Sequence, residues 1–143
     1  VRLTTAAKVL TEGTSAIEGS LNTVLGATTL AQRPDVVEEV RKEILAAPPA
    51  AVAWIQKAMA ARPSRLNVLE RLDVPAVVLR GDEDSLSSAQ SADAMATALR
   101  VAAPRLGGIG VVTLPGVGHM SANEAPEQVA GALADLYARV AAS

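Results

Sequence analysis

The stretch "PAVVLRGDEDSLSS", residues 75–88, decides the fold of this chain. It starts with a proline, runs through a short β-branched segment and reaches a glycine that is followed by three acidic residues. A compact apolar run with such boundaries is typical of a buried strand, which we predict over 75–81. A similar run, "IGVVTLPG" at 109–116, predicts a second strand.

Two helices are predicted from apolar residues at helical spacing, one between the strands and one after them. The first covers about 87–103, and the second covers 125–142 with Pro126 in its first turn. Their apolar faces are Ala92, Met95, Ala96, Leu99 and Ala103 in the first, and Val129, Leu133, Leu136 and Val140 in the second. The order strand, helix, strand, helix implies a crossover connection and a parallel sheet, so the fold class is α/β.

Residues 1 to about 61 differ from this part, because they show helical spacing without any alternating run typical of a strand. The clearest helix, "RPDVVEEVRKEILAAPP", has Pro34 in its first turn and ends at Pro48 and Pro49. Its predicted stripe is Val36, Val37, Val40, Ile44 and Leu45. A helix over 50–61 follows, and a short one is expected in "RLNVLERLDV". We therefore divide the chain into a helical part, 1–63, and an α/β part, 64–143.

Composition limits the function. The chain has 143 residues, of which 50% are hydrophobic but only 1% aromatic, so a core is expected to consist of small side chains. With a net charge of −2 and no basic cluster, nucleic-acid binding is not expected. One histidine and no cysteine argue against a protein zinc site, and no cofactor is implied. Neither a membrane-spanning run nor a signal sequence is found, and we expect a cytoplasmic protein.

Polar side chains follow both predicted strands. Asp82, Glu83 and Asp84 come after the first strand, and His119, in "GVGHMSANE", comes after the second. Because functional groups gather at the carboxyl ends of parallel strands, a carboxylate and the imidazole are expected to meet. Such a pair serves base catalysis, since the carboxylate fixes the tautomer of the ring. Position alone leaves the alternative open that His119 is a solvated or core-capping residue and the acids a hydrophilic turn.

The order of these segments resembles the C-terminal half of the α/β-hydrolase superfamily. In that family Gly-x-x-Asp supplies the triad acid, Gly-x-Gly-His supplies the base, and Glu-x-Pro begins the last helix. The resemblance implies that Asp84 is the acid and His119 the base, whereas the place of Asp82 in the motif is variable. The interval between acid and base is slightly long for the family, and the loop "APRLGGIG" accounts for the excess.

The helical part resembles the cap that many members of the superfamily insert before the acid strand, as in the small-molecule esterase and peroxidase-like branch. Under this resemblance Trp54 lines the substrate pocket, and packing within the helical core is an equally good explanation of its position. Met120, next to His119, is a second candidate for substrate contact, although methionine is more often a core filler.

The nucleophile elbow Gly-x-Ser-x-Gly, which precedes the acid and base in this superfamily, does not occur in the sequence. "EGTSAIEGS" has neither its spacing nor a preceding β run. The oxyanion loop and the earlier strands are missing as well. We therefore expect a partner, the N-terminal half of the same hydrolase with the serine, as a separate chain. A cut precursor would explain why the sequence begins with Val1.

The favoured hypothesis is a serine-type hydrolase of small, fairly apolar esters, lactones or amides. Since the nucleophile lies outside the sequence, an Asp nucleophile, as in dehalogenases and epoxide hydrolases, and cofactor-free perhydrolysis remain open. A second hypothesis is a relative that encloses a small ligand with slow or no turnover. A third is a stand-alone helical interaction domain whose similarity to hydrolases is misleading.

Overall fold

The structure, a computed structural model, describes residues 1–72, 74–102 and 110–141. The first part of the chain consists of helices, which are α1 (Arg2–Glu12), a 3-10 helix (Thr14–Ser20), α2 (Leu21–Val24), α3 (Ala27–Gln32), α4 (Pro34–Ala46) and α5 (Pro49–Ala61). The second part contains α6 (Leu66–Leu69), β1 (Val78–Gly81), α7 (Ala89–Ala102), β2 (Val111–Leu114), α8 (Ser121–Glu124) and α9 (Pro126–Ala141).

The helical character predicted for the first 61 residues is confirmed. Pro34 and Pro49 occupy the first turns of α4 and α5, where a missing N–H costs no helical hydrogen bond. α1 ends at Gly13, whose φ of 78° lies in the left-handed region that favours glycine. The apolar stripe of α4 forms a small core, because Val36 and Val40 are buried together with Leu25.

The two strands form the predicted parallel sheet, with α7 as the crossover helix between them. Val78 pairs with Val111, and Gly81 pairs with Leu114. Each strand has four residues, so both are shorter than predicted. The predicted face of α7 is confirmed where it is described, since Ala92, Ala96 and Leu99 are buried against Val78. Ala103, Ile109 and the predicted loop up to residue 109 lie outside the described residues.

The last helix, α9, follows the predicted range but begins at Pro126 instead of Ala125, and Ala142 lies outside the described residues. Its predicted apolar stripe is divided between two environments. Val129 packs against Leu114, Val117 and Ala125, whereas other members of the stripe are open to solvent. The exposed fractions of Leu133 and Val140 are 51% and 43%. The stripe is wider than the surface that the two strands offer, and therefore only one side of it is covered.

Over the described ranges, no single helix is long and apolar enough to cross a membrane. α4 and α5 meet that criterion only as a pair, and they are bent by 97° at the break between them.

Candidate active site

Asp84 lies in the turn that follows β1. The end of β1 lies close to the backbone of residues 117–118, because a Cβ atom on Gly81 would clash with the carbonyl oxygen of Val117. The carboxyl side chain of Asp84 is 6% exposed. Its Oδ1 accepts hydrogen bonds from the backbone N–H groups of Leu86 at 2.8 Å and Ser87 at 3.0 Å. These two bonds fix the carboxylate and leave its second oxygen for another partner.

That partner is His119, whose Nδ1 lies 3.0 Å from Oδ2 of Asp84. The two side chains that the sequence predicts to meet are therefore in contact. With a proton on Nδ1 shared with Asp84, the neutral ring presents Nε2 as its basic nitrogen. The side chain of His119 is 43% exposed, so a reacting group can approach it. Such an arrangement can serve as a general base with an orienting carboxylate.

The charge state of Asp84 follows from opposing effects. Burial is the largest single influence, and it raises the pKa of the carboxyl group because it penalises the charged form. Hydrogen bonds from His119, Ser87 and Leu86, together with the charge of His119, favour the charged form and outweigh burial. The pKa of Asp84 is therefore lowered from its ordinary value, which keeps the carboxylate ionised at neutral pH.

Direct hydrogen bonds join the acid loop, residues 82–88, to the histidine loop, residues 115–120. The backbone N–H of Glu83 donates to the carbonyl oxygen of Val117 at 3.0 Å, and that of Asp82 donates to the carbonyl oxygen of Leu114, the last residue of β2, at 3.0 Å. The side chain of Asp82 accepts a bond from the N–H of Gly116 at 2.7 Å. Asp82 thus ties the loops together, and Asp84 is the acid that contacts the ring.

Met120, one of the two predicted substrate contacts, borders an apolar cavity of about 310 Å³ among the helices, which we call the cap cavity. The cavity is lined by Ile17, Ser20, Val24, Val40, Glu43, Ile44, Ala47, Val52 and Met120. Met120 also packs against the core of Leu25, Val36 and Val40. Both interpretations made from the sequence, ligand contact and core filler, are thus compatible with its position.

Trp54, the other predicted substrate contact, lies on α5 with 70% of its surface exposed. The same helix contributes Val52 to the cap cavity. The exposed position fits neither the buried packing role nor a place in the wall of this cavity, and the assignment of Trp54 to substrate stays a prediction.

Glu83 and Glu124 both contact the first turn of α3 and its N-cap. The sequence predicts no role in the site for either acid. Glu124 is only 5% exposed although its side chain is polar. Its carboxylate accepts hydrogen bonds from four donors, including the N–H of Gly26 at 2.8 Å. The motif Glu-x-Pro marks only a helix start, so sequence spacing cannot reveal this burial. In the described ranges no group of three or more His, Cys, Asp or Glu residues could hold a metal ion.

Comparison with known proteins points to one fold. No sequence profile of a protein family and no curated protein matches the chain. Among solved structures, a thermophilic esterase from Thermogutta terrifontis with malate bound is 31% identical, with a TM-score of 0.86 over 97% of this chain and 49% of that one.

Two further solved structures share the fold at lower identity. An enol-lactonase from Burkholderia xenovorans LB400 is 22% identical, with a TM-score of 0.81 over 96% of this chain and 50% of its own. MenH from S. aureus is 19% identical, with a TM-score of 0.73 over 94% of this chain and 50% of its own. The chain spans about half the length of these proteins.

Proposed function

Because this chain belongs to the α/β-hydrolase superfamily and has the fold of its C-terminal half, we propose that it supplies the acid and the base of a serine-type hydrolase. One observation carries the proposal, the 3.0 Å contact between Nδ1 of His119 and the carboxylate of Asp84 beside an accessible ring. An isolated histidine in a hydrophilic turn would not need a buried acid that is itself oriented by two backbone donors.

In the proposed reaction a serine of the N-terminal half attacks an acyl carbonyl carbon. Nε2 of His119 removes the serine proton as the new C–O bond forms, and Asp84 stabilises the resulting imidazolium. The imidazolium then donates this proton to the departing alkoxide, which leaves an acyl-enzyme. His119 next takes a proton from water as the water oxygen bonds to the acyl carbon. The bond between this carbon and the serine Oγ then breaks, the imidazolium returns its proton to Oγ, and the acid is released.

The proposal requires a partner that carries the nucleophile, since the sequence contains no Gly-x-Ser-x-Gly. We propose the N-terminal half of the same hydrolase as a separate chain. Mass spectrometry of the native protein should find a second polypeptide with this motif. A native protein that consists of this chain alone would contradict the partner.

The lining of the cap cavity, which Met120 borders next to His119, supports a proposal for the substrate class. Its lining is almost entirely aliphatic, and among its lining residues the charged one, Glu43, is an acid. Arg41, on the same helix, is engaged by ion pairs with Glu18 and Glu38. A carboxylate on the substrate would lose its hydration there without gaining a cationic partner. We therefore propose a small ester or lactone whose acyl part is neutral and aliphatic.

The central experiment replaces His119 by Ala in the assembled protein and measures hydrolysis of 4-nitrophenyl butyrate. Turnover should fall by roughly 10³-fold or more, because no other group can take the serine proton. Assembly, followed by gel filtration, should be unchanged. Gln90→Ala, which shortens an exposed side chain on α7, is the matched control and should keep full activity. Unchanged turnover in His119→Ala would overturn the proposal.

A second measurement tests the substrate class by comparing this ester with the 4-nitrophenyl monoester of succinic acid. The two acyl groups have the same length, but the second ends in a carboxylate. We expect the neutral ester to have the higher kcat/KM by a factor of roughly 10 or more, as burial of an unpaired charge requires. Equal or reversed preference would contradict the neutral acyl group, while leaving the roles of Asp84 and His119 intact.

A further inference from the structure

The first turn of α3 is the place where the helical part meets both catalytic loops. Glu124 accepts hydrogen bonds there from the N–H of Gly26 at 2.8 Å and from the hydroxyl of Thr29 at 2.7 Å. Glu83 accepts bonds from the N–H of Thr28 at 2.8 Å and from its hydroxyl at 2.6 Å. One carboxylate comes from the segment after His119, and the other is the neighbour of Asp84. A single turn of helix is therefore bonded to both loops.

Glu124 also fixes the backbone around the histidine. The N–H groups of Gly118 and Met120, on either side of His119, donate to its carboxylate at 3.0 Å and 3.1 Å. The N–H of His119 itself donates to the carbonyl oxygen of Val24 at 2.9 Å. Three successive amides of the histidine loop thus have defined partners, which sets the direction from which the imidazole leaves the backbone.

Among the described residues, the donors to the carboxylate of Glu124 are neutral N–H and O–H groups rather than a basic side chain. Arg33 lies near, but its Nη1 is 3.5 Å from the backbone oxygen of Glu124, not from the carboxylate. A buried carboxylate stabilised by N–H and O–H donors depends on each of them, because a lost donor is not replaced by water. The contact is therefore sensitive to the removal of a single hydroxyl.

Two glycines, Gly26 and Gly118, allow the backbone before α3 and the backbone of the histidine loop to approach each other closely. A Cβ atom on Gly118 would lie 2.2 Å from the backbone nitrogen of Gly26. A Cβ atom on Gly26 would lie 2.6 Å from Oε2 of Glu83 and 2.8 Å from the nitrogen of Gly118. The backbones of the helical part and of the histidine loop approach more closely than any other residue would allow.

We infer that Glu124, supported by Glu83, is a positioning residue that couples the first turn of α3 to the His119–Asp84 pair. This inference rests on the proposed function for its kinetic consequences, but its structural content does not depend on turnover. Neither acid contacts the reacting atoms. They determine where His119 and Asp84 stand, so that a change in α3, outside both catalytic loops, alters the rate of proton transfer.

The kinetic test replaces Thr29 by Val in the assembled hydrolase, which removes one hydroxyl from Glu124 and keeps the shape of the side chain. We expect kcat for 4-nitrophenyl butyrate to fall by about 10- to 100-fold, the range produced by small displacements of catalytic groups. KM should change less than kcat, because Thr29 is not part of the cap cavity. Glu124→Gln should give a larger loss, and Glu39→Gln, which alters an exposed acid of α4, should give none.

A spectroscopic test is independent of turnover. His119 is the only histidine of the chain, so ¹⁵N-histidine incorporated into this chain alone gives one pair of ring signals in the assembled protein. At a pH where the ring is neutral, wild type should show the form protonated at Nδ1, which Asp84 favours. Thr29→Val should shift the signals toward a mixture of both neutral forms, and Glu39→Gln should not.

The outcomes separate the two proposals. Unaltered ring signals and unaltered kcat in both Thr29→Val and Glu124→Gln would overturn the positioning role, even if His119→Ala is inactive. A shifted tautomer mixture in a protein without esterase activity would support the positioning role and contradict the proposed function. A rise of KM with constant kcat would assign α3 to substrate binding instead and would likewise overturn the inference.

Discussion

Residues 115–124, which include the histidine loop, and α9 are neighbours in sequence, but they differ in whether their polar and apolar groups find partners within this chain. In residues 115–124 backbone amides and a buried carboxylate have nearby partners, and glycine backbones are in contact. In α9, no residue of the described helix is buried, and Leu133, Tyr137 and Val140 form an exposed apolar face with exposed fractions of 51%, 74% and 43%.

This difference indicates that the geometry of the site and the burial of apolar surface depend on different contacts. The orientation of the acid and the base depends on hydrogen bonds within this chain, whereas the apolar face of α9 needs a surface that these residues do not provide. Exposed apolar area of this kind is characteristic of a contact surface. Under the proposed function, the N-terminal half of the hydrolase covers this face of α9.

The substitution Asp84→Asn is expected to have the largest effect, and it tests whether the geometry of the site depends on hydrogen bonds within this chain. An amide keeps the bond to Leu86 and Ser87 in one orientation, but it cannot favour the Nδ1-protonated ring or stabilise the imidazolium. We expect kcat to fall by about 10⁴-fold, as for the equivalent change in a serine-protease triad. Steady-state hydrolysis of 4-nitrophenyl butyrate measures this, with the exposed Asp93→Asn on α7 as control. A loss below tenfold would mean that the orientation of His119 comes from elsewhere.

Gly118→Ala examines the glycine contact. The added Cβ would lie 2.2 Å from the nitrogen of Gly26, so the histidine loop and the start of α3 must separate. We expect a loss of about 1–3 kcal/mol in the free energy of unfolding, typical of an overpacked position. Denaturant unfolding of the assembled protein gives the value.

Gly131→Ala, in the middle of α9, is the opposite control. A Cβ there meets no atom within 4 Å, and alanine favours the helix by about 0.5–1 kcal/mol. A gain at Gly131 together with a loss at Gly118 would sharpen the contrast between the two regions. Equal changes in the free energy of unfolding at the two positions would contradict this contrast.

Leu133→Asp tests the exposed face of α9. If the N-terminal half covers this face, the affinity between the halves should decrease by about 1–1.5 kcal/mol, since roughly half of a leucine side chain is available for burial. Isothermal titration or analytical ultracentrifugation of the two halves measures the change. Ala138→Asp, on another side of the same helix, should leave the affinity unchanged. If both variants bind the N-terminal half with the affinity of the wild type, α9 lies away from the interface.

The smallest expected effect is the pH dependence contributed by Asp84. Its pKa is lowered in the folded protein, so its contribution to stability is fully present above the ordinary aspartate value of about 4 and is lost as the pH falls through the folded value. The difference in unfolding free energy between wild type and Asp84→Asn should therefore shrink as the pH decreases from 5 to 3. A difference that grows in this range would contradict the direction of the pKa shift.

Much of the fold could be predicted from local patterns. Pro34 and Pro126 mark helix starts, because the missing N–H of proline costs no hydrogen bond in the first turn, and the β-branched runs predict the parallel strands. The sequence predicts Pro49 only as the end of the preceding helix, but it also begins α5. The contact between Asp84 and His119 follows from the rule that strand ends gather. The role of Glu124 could not be predicted, because burial of a carboxylate depends on donors from α3, more than ninety residues earlier in the chain.

The division of the α9 stripe into a covered and an exposed side could not be predicted from the sequence either. Helical periodicity identifies Val129, Leu133, Leu136 and Val140 as one apolar set, but it gives no width for the surface that receives them. That width depends on the number of strands, and two strands cover only the side that includes Val129.

The close approach of Gly26 and Gly118 constrains attempts to recombine this chain with other members of the α/β-hydrolase superfamily. A cap transplanted at the apparent domain boundary near residue 63 would bring its own version of residues 23–29 against a foreign histidine loop. Under the proposed function, a chimera is therefore expected to be active only when that segment and the histidine loop are inherited from the same parent.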